Sequence, residues 1–141
     1  MYERIYTIGC FDFLHEGHIN LINSMKKMGK TIIAGIHDNN SLKKLKNLSD
    51  NEYQDILTRV KNLKKHVDHV YIISDTDPSL SLYSIISKYD NKNNACFVRA
   101  DDNIDFPGIN IINGIISIKY LPYTKNISST IIRNNNKKNE I

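Results

Sequence analysis

The sequence has no tryptophan and only two cysteines, three prolines and six glycines in 141 residues. Cys10 and Cys96 show no paired spacing, which excludes a disulfide framework or a cysteine-based zinc signature and suits a reducing, cytoplasmic setting. No apolar run approaches the roughly 20 residues of a membrane span. Met1 to Tyr6 lack a basic stretch ahead of an apolar block, so the start reads as a first strand rather than a targeting segment. Lysine and arginine total 19 against 15 acidic residues, and this net +4 is spread along the chain, so it leaves no nucleic-acid footprint. Hydrophobic content of 40% and charged content of 24% are those of a globular chain long enough for one domain with a core.

Residues 4–9 and 31–36 are short, nearly continuous apolar runs of the kind found in parallel strands buried on both faces. Between them Ile19, Leu21, Ile22, Met25 and Met28 recur at helical spacing, with Gly29 where the helix should stop. Residues 38–50 read as a polar, lysine-bearing loop. A second helical stripe through Ile56, Val60, Leu63 and Val67 leads to a strand at 70–73, and Pro78 opens a third helix. Residues 95–98 and 115–121 supply two further strands. The expected fold is α/β, a Rossmann-like doubly wound parallel sheet of about five strands with helices on both faces. Residues 1–133 form the single domain, and 134–141 form a polar, frayed tail.

In such sheets ligands sit beyond the carboxyl ends of the strands, and the first strand-to-helix junction is Gly9-Cys10-Phe11-Asp12-Phe13-Leu14-His15-Glu16-Gly17-His18. Gly9 is expected to turn the chain off the strand. His15 and His18, three apart at a helix start, share a face where free N–H groups and the helix dipole favour an anion. Taken alone, the pair fits helix surface or two metal ligands equally well. No other His, Cys or carboxylate is spaced to complete a zinc site, and neither dinucleotide nor P-loop glycine spacing is present. Ser128, Ser129 and Thr130 offer a second hydroxyl-rich helix start, which fits an ordinary cap as well as a phosphate site. Lys43, Lys44 and Lys46 fit a solvated loop surface.

The Gly-x-Phe-Asp running into His-x-Gly-His resembles the signature of the cytidylyltransferases in the nucleotidyltransferase superfamily. Ile127-Ser128-Ser129-Thr130 resembles the superfamily's second signature, at the start of its last helix. The two together span the chain and imply transfer of a cytidylyl group from CTP to a small phosphorylated alcohol, of glycerol-3-phosphate or phosphoethanolamine type, with release of pyrophosphate. Such chemistry serves phospholipid or cell-surface precursor synthesis. By this resemblance His15, His18 and Lys46 are catalytic. Gly9, Cys10, Phe11, Lys44, Asp102, Ile127, Ser128, Ser129 and Thr130 hold the nucleotide, and Asp12, Arg99 and Asp101 face the acceptor. Mg²⁺ comes with the triphosphate rather than in a protein cage, and a homodimer through the region of His66 to His69 is implied.

The chain departs from the family pattern at three places. Leu57 stands where a helical arginine is usual, with Arg59 two positions on; Ala100 replaces a histidine of phosphocholine enzymes; Tyr123 replaces an arginine. Without tryptophan and that histidine, an aromatic cage for a quaternary ammonium is incomplete. Two other readings follow. The stretch from Ser128 to Arg133 also resembles nicotinamide mononucleotide adenylyltransferases, which use ATP. The departures also fit a degenerate nucleotide-binding protein without turnover.

Overall fold

A computed structural model of the chain describes residues 1–101, 106–124 and 128–139, so Asp102 and Ile127 lie outside the described residues. Five strands, β1 (Tyr2–Gly9), β2 (Gly29–His37), β3 (His69–Ile73), β4 (Ala95–Ala100) and β5 (Ser117–Leu121), form one sheet in the order β3-β2-β1-β4-β5. Every neighbouring pair is parallel. The chain steps outward from β1 through β2 to β3, then crosses to the far side of β1 for β4 and β5. The gap between β1 and β4 is therefore the switch point where a crevice opens.

Six helices, α1 (Glu16–Met28), α2 (Asn39–Lys46), α3 (Ile56–Leu63), α4 (Ser79–Ile85), α5 (Ile109–Asn113) and α6 (Ser129–Asn139), complete the chain. Strand alternation divides the core between the two faces. Ile5, Ile32, Cys96 and Val98 pack with Met25 of α1, and Ala34 and Ile36 with Ile22 of α1 and Leu63 of α3. On the other face Tyr6, Ile33 and Phe97 pack with Leu82 of α4 and Ile112 of α5. Helices cover both faces, which is why the buried stretches 32–36 of β2 and 95–98 of β4 are apolar on both sides. No helix among the described residues is long and apolar enough to cross a membrane.

Three local expectations are corrected. Residues 39–46 are a helix rather than a loop, because the Asp38 carboxylate caps it by accepting the Ser41 N–H at 2.8 Å and Leu42 is wholly buried. The last strand begins at Ser117, after Ile116 has entered the core beneath α5. The final helix continues from Ser129 to Asn139, past the boundary at 133 drawn from composition.

Candidate functional site

A cleft of about 640 Å³ opens at the carboxyl ends of the strands. Its floor begins with Gly9, but the turn is made elsewhere: Phe11 and Phe13, at φ of 49° and 48°, take the left-handed conformation that Gly9 does not. Two non-glycine residues held this way cost about 1–3 kcal/mol each, and such strain is characteristic of ligand sites. Between them lies Asp12, 1% exposed.

His15 and His18 form a reciprocal cap at the start of α1. Nδ1 of His15 accepts the Gly17 N–H at 3.0 Å, and Nδ1 of His18 accepts the His15 N–H at 3.2 Å. Both acceptors are Nδ1, so the proton of each neutral ring sits on Nε2, and both rings line the cleft. The rings stack with centroids 3.8 Å apart. Burial lowers the His18 pKa to about 3, with His15 and Lys46 pushing the same way, and burial also lowers that of His15. The pair therefore offers two neutral N–H donors rather than imidazolium charge. Gly17 permits this arrangement: a Cβ there would lie 2.8 Å from Cε1 of His15.

Asp12 lines the cleft and also ties its walls together. Its Oδ1 accepts the Gln54 N–H at 2.9 Å and its Oδ2 accepts from Arg133 at 2.6 Å. Arg133 also donates to the Glu52 carbonyl at 2.6 Å, and the Ser129 hydroxyl donates to the Asp12 carbonyl. The loop after β1, the loop between α2 and α3, and α6 are thus tied together at one buried point. Ser129 has its hydroxyl proton committed, while Ser128 caps α6 by accepting the Ile131 N–H at 3.1 Å. Ser128, Ser129 and Thr130 all line the cleft.

Lys46, in the last turn of α2, lines the cleft. Lys44 is exposed and off the cleft wall, and Lys43 pairs with Asp50 at 2.6 Å. Arg99 reaches the cleft and stacks on Phe106 at 4.5 Å, whereas Asp101 is exposed, off the cleft wall, and accepts the Tyr123 N–H at 2.9 Å. Cys10 lines the wall as a neutral thiol, since burial pushes its pKa up. Among the described residues no group of three or more His, Cys, Asp or Glu is placed to hold a metal.

Sequence reasoning gave no role to Arg59, which is fully buried. It donates to the carbonyls of Gln54, Cys10 and His37 and to Oδ1 of Asn39 at 2.7–2.9 Å, clamping the ends of β1 and β2. A buried guanidinium here sits beneath a site that two helix N-termini already make attractive to anions.

Residues 6–135 match the cytidylyltransferase-like family. The chain belongs to that family. Among curated proteins it is similar to the bifunctional protein HldE of Campylobacter fetus, 39% identical over 80 residues, which are 55% of this chain and 17% of that protein. HldE of Coxiella burnetii is 30% identical over 84 residues, 58% of this chain and 18% of the relative. HldE of Desulfatibacillum aliphaticivorans is 45% identical over 42 residues, 30% and 9% respectively. The matched stretches therefore span less than a fifth of these relatives.

Proposed function

We propose that the protein is a nucleotidyltransferase in which a phosphate oxygen of a small phosphorylated acceptor attacks the α-phosphorus of a nucleoside triphosphate. A new P–O–P bond forms, the α–β bridging bond breaks, and pyrophosphate leaves. The observation that carries this reading is the pair of neutral imidazoles with Nε2–H donors, facing Lys46 and the start of α6 across one cleft. Such a displacement calls for positioning and charge neutralisation rather than a protein nucleophile. His15 and His18 donate to the α and β phosphates as charge builds, Lys46 neutralises it, and Ser128, Thr130 and the α6 N-terminus receive the β and γ phosphates. Asp12 takes no part as a base, being committed to Arg133 and Gln54. Mg²⁺ enters with the triphosphate, which supplies its ligands.

CTP is the proposed donor and a polyol phosphate such as glycerol-3-phosphate the leading acceptor, with phosphoethanolamine second. ATP is the second reading, favoured by Arg133, which ends the adenylyltransferase-like stretch and lines the cleft. Thermal shifts with CTP, ATP, GTP and UTP plus Mg²⁺ rank the donors, since ligand at 100 times Kd stabilises by about 2.7 kcal/mol. The largest shift with CTP, followed by pyrophosphate release on adding acceptor, is the expected result. A larger shift with ATP selects the second reading. A shift without pyrophosphate release from any pair makes the protein a binder only, and no shift at all overturns the nucleotide site. The homodimer is proposed through edge strand β3, where Tyr71 and Ile72 are 42% and 55% exposed. Two free cysteines suit a cytoplasmic location.

A further inference from the structure

Among the described residues, one cleft-lining side chain has a buried polar atom with no hydrogen-bond partner: Nδ1 of His37. His37 ends β2 and is 5% exposed. Ile36 before it packs under α1 and α3, so alternation turns His37 to the opposite face, which carries Ile8 and Phe106. The same count places Arg99 there, since Val98 packs beneath α1. The cleft thus has two halves. His15 and His18 head α1 on one side of the sheet, and His37, Arg99 and Phe106 occupy the other.

The Asp75 backbone acts on the His37 ring in the sense that favours protonation, as a carbonyl facing Nε2–H does. That leaves Nδ1 as a bare acceptor. Burial lowers the His37 pKa, with Arg59 and Arg99 acting in the same sense and Asp38 opposing, so the ring is neutral. A neutral acceptor atom close to two guanidinium groups suits a ligand group that donates a hydrogen bond without carrying positive charge. A hydroxyl meets both conditions, while an ammonium meets only the first.

Building on the nucleotidyl-transfer reading, we propose that this half of the cleft takes the phosphorylated acceptor and that His37 selects one with a hydroxyl near its phosphate. The phosphate lies against Arg99, which Phe106 holds by stacking at 4.5 Å, and the hydroxyl donates to Nδ1 of His37. An unpaired buried acceptor gives this selection its force, because an analogue without the hydroxyl leaves Nδ1 unsatisfied.

The test compares glycerol-3-phosphate with propyl phosphate, which keeps the phosphate ester and lacks a free hydroxyl. Nitrogen-15 spectra of the histidines during titration should move the His37 Nδ1 resonance with glycerol-3-phosphate alone, and its Kd should be about tenfold lower than that of propyl phosphate. In His37→Phe the preference should disappear while propyl phosphate still binds. Equal binding of the two esters by the wild type, binding of neither, an unmoved His37 resonance, or a retained preference in His37→Phe overturns the proposal. The nitrogen shift needs no variant, so it decides the matter even if that substitution prevents folding. Binding is read without turnover, so this outcome is distinct from a failure of pyrophosphate release, which would sink the nucleotidyl-transfer reading instead.

Discussion

The Asp12 carboxylate accepts a hydrogen bond from Arg133 at 2.6 Å across 121 positions of sequence, with both side chains more than nine-tenths buried. The pair joins the first signature to the second. Removing one partner leaves the other charge buried and unpaired, so Asp12→Ala and Arg133→Ala should each lose about 3–5 kcal/mol of stability. In a double-mutant cycle by urea denaturation, the two losses should be far from additive. Additive losses would show that the pair is not coupled.

Arg59 should behave as a clamp rather than as a ligand contact. All four of its acceptors are carbonyl oxygens, so Arg59→Lys cannot reproduce the planar fork that reaches four of them. Both Arg59→Ala and Arg59→Lys should lower Tm, with the alanine loss exceeding about 3 kcal/mol. A lysine variant as stable as the wild type would contradict the clamp.

These two arginines mark the limit of what the sequence disclosed. The His15 and His18 pair was legible because spacing of three at a helix start fixes a shared face locally. The partners of Arg133 and Arg59 lie on other elements and are largely backbone carbonyls, which carry no residue-type signal. The helix at 39–46 did leave a signal, an Asp38 cap ahead of Leu42 and Leu45, but the lysine-rich composition outweighed it. Polar composition also hid the continuation of α6 past Arg133, since a helix once nucleated at Ser129 propagates without an apolar face. A parallel sheet with helices on both faces followed from the strand and helix alternation, whereas the order of its strands and the side-chain commitments of Asp12 and Asp101 needed three dimensions.

Lys46 and Lys44 should separate cleanly. A charge-assisted contact to phosphate is worth about 1.5–3 kcal/mol, so Lys46→Ala should lower kcat/KM by about 10- to 100-fold. Lys44, exposed and off the cleft, should change it less than about twofold on replacement by alanine. Steady-state pyrophosphate release measures both, and equal losses would place Lys44 beside Lys46 in the site.

The histidines predict a pH dependence of stability. Burial holds His18 near a pKa of about 3 and lowers His15 and His37, whereas in the unfolded chain each titrates near about 6.5. Below that value the unfolded chain binds protons that the folded protein refuses. Stability should therefore be full above pH of about 6.5 and decline as the pH falls from there toward 3. Tm should drop between pH 7 and 5, and His18→Gln should flatten part of that slope. A Tm that is level over this interval would mean the histidines are protonated as easily in the fold as outside it.

Loss of either imidazole donor should lower turnover by about 10²–10³-fold in His15→Ala and His18→Ala. A subtler variant separates catalysis from folding at the same place. A Cβ added at Gly17 would lie 2.8 Å from Cε1 and 3.1 Å from Nδ1 of His15, so the ring must shift away from the Gly17 N–H it accepts. Gly17 lies in the first turn of α1, where alanine is favoured over glycine by up to about 1 kcal/mol, offsetting the lost cap hydrogen bond. Gly17→Ala should therefore keep Tm within a few degrees of wild type while kcat falls by about 10- to 100-fold, the cost of displacing a catalytic donor by up to about 1 Å. Unchanged kcat in a stably folded Gly17→Ala would show that the His15 position is not what sets the rate, whereas parallel loss of Tm and kcat would assign Gly17 to packing alone.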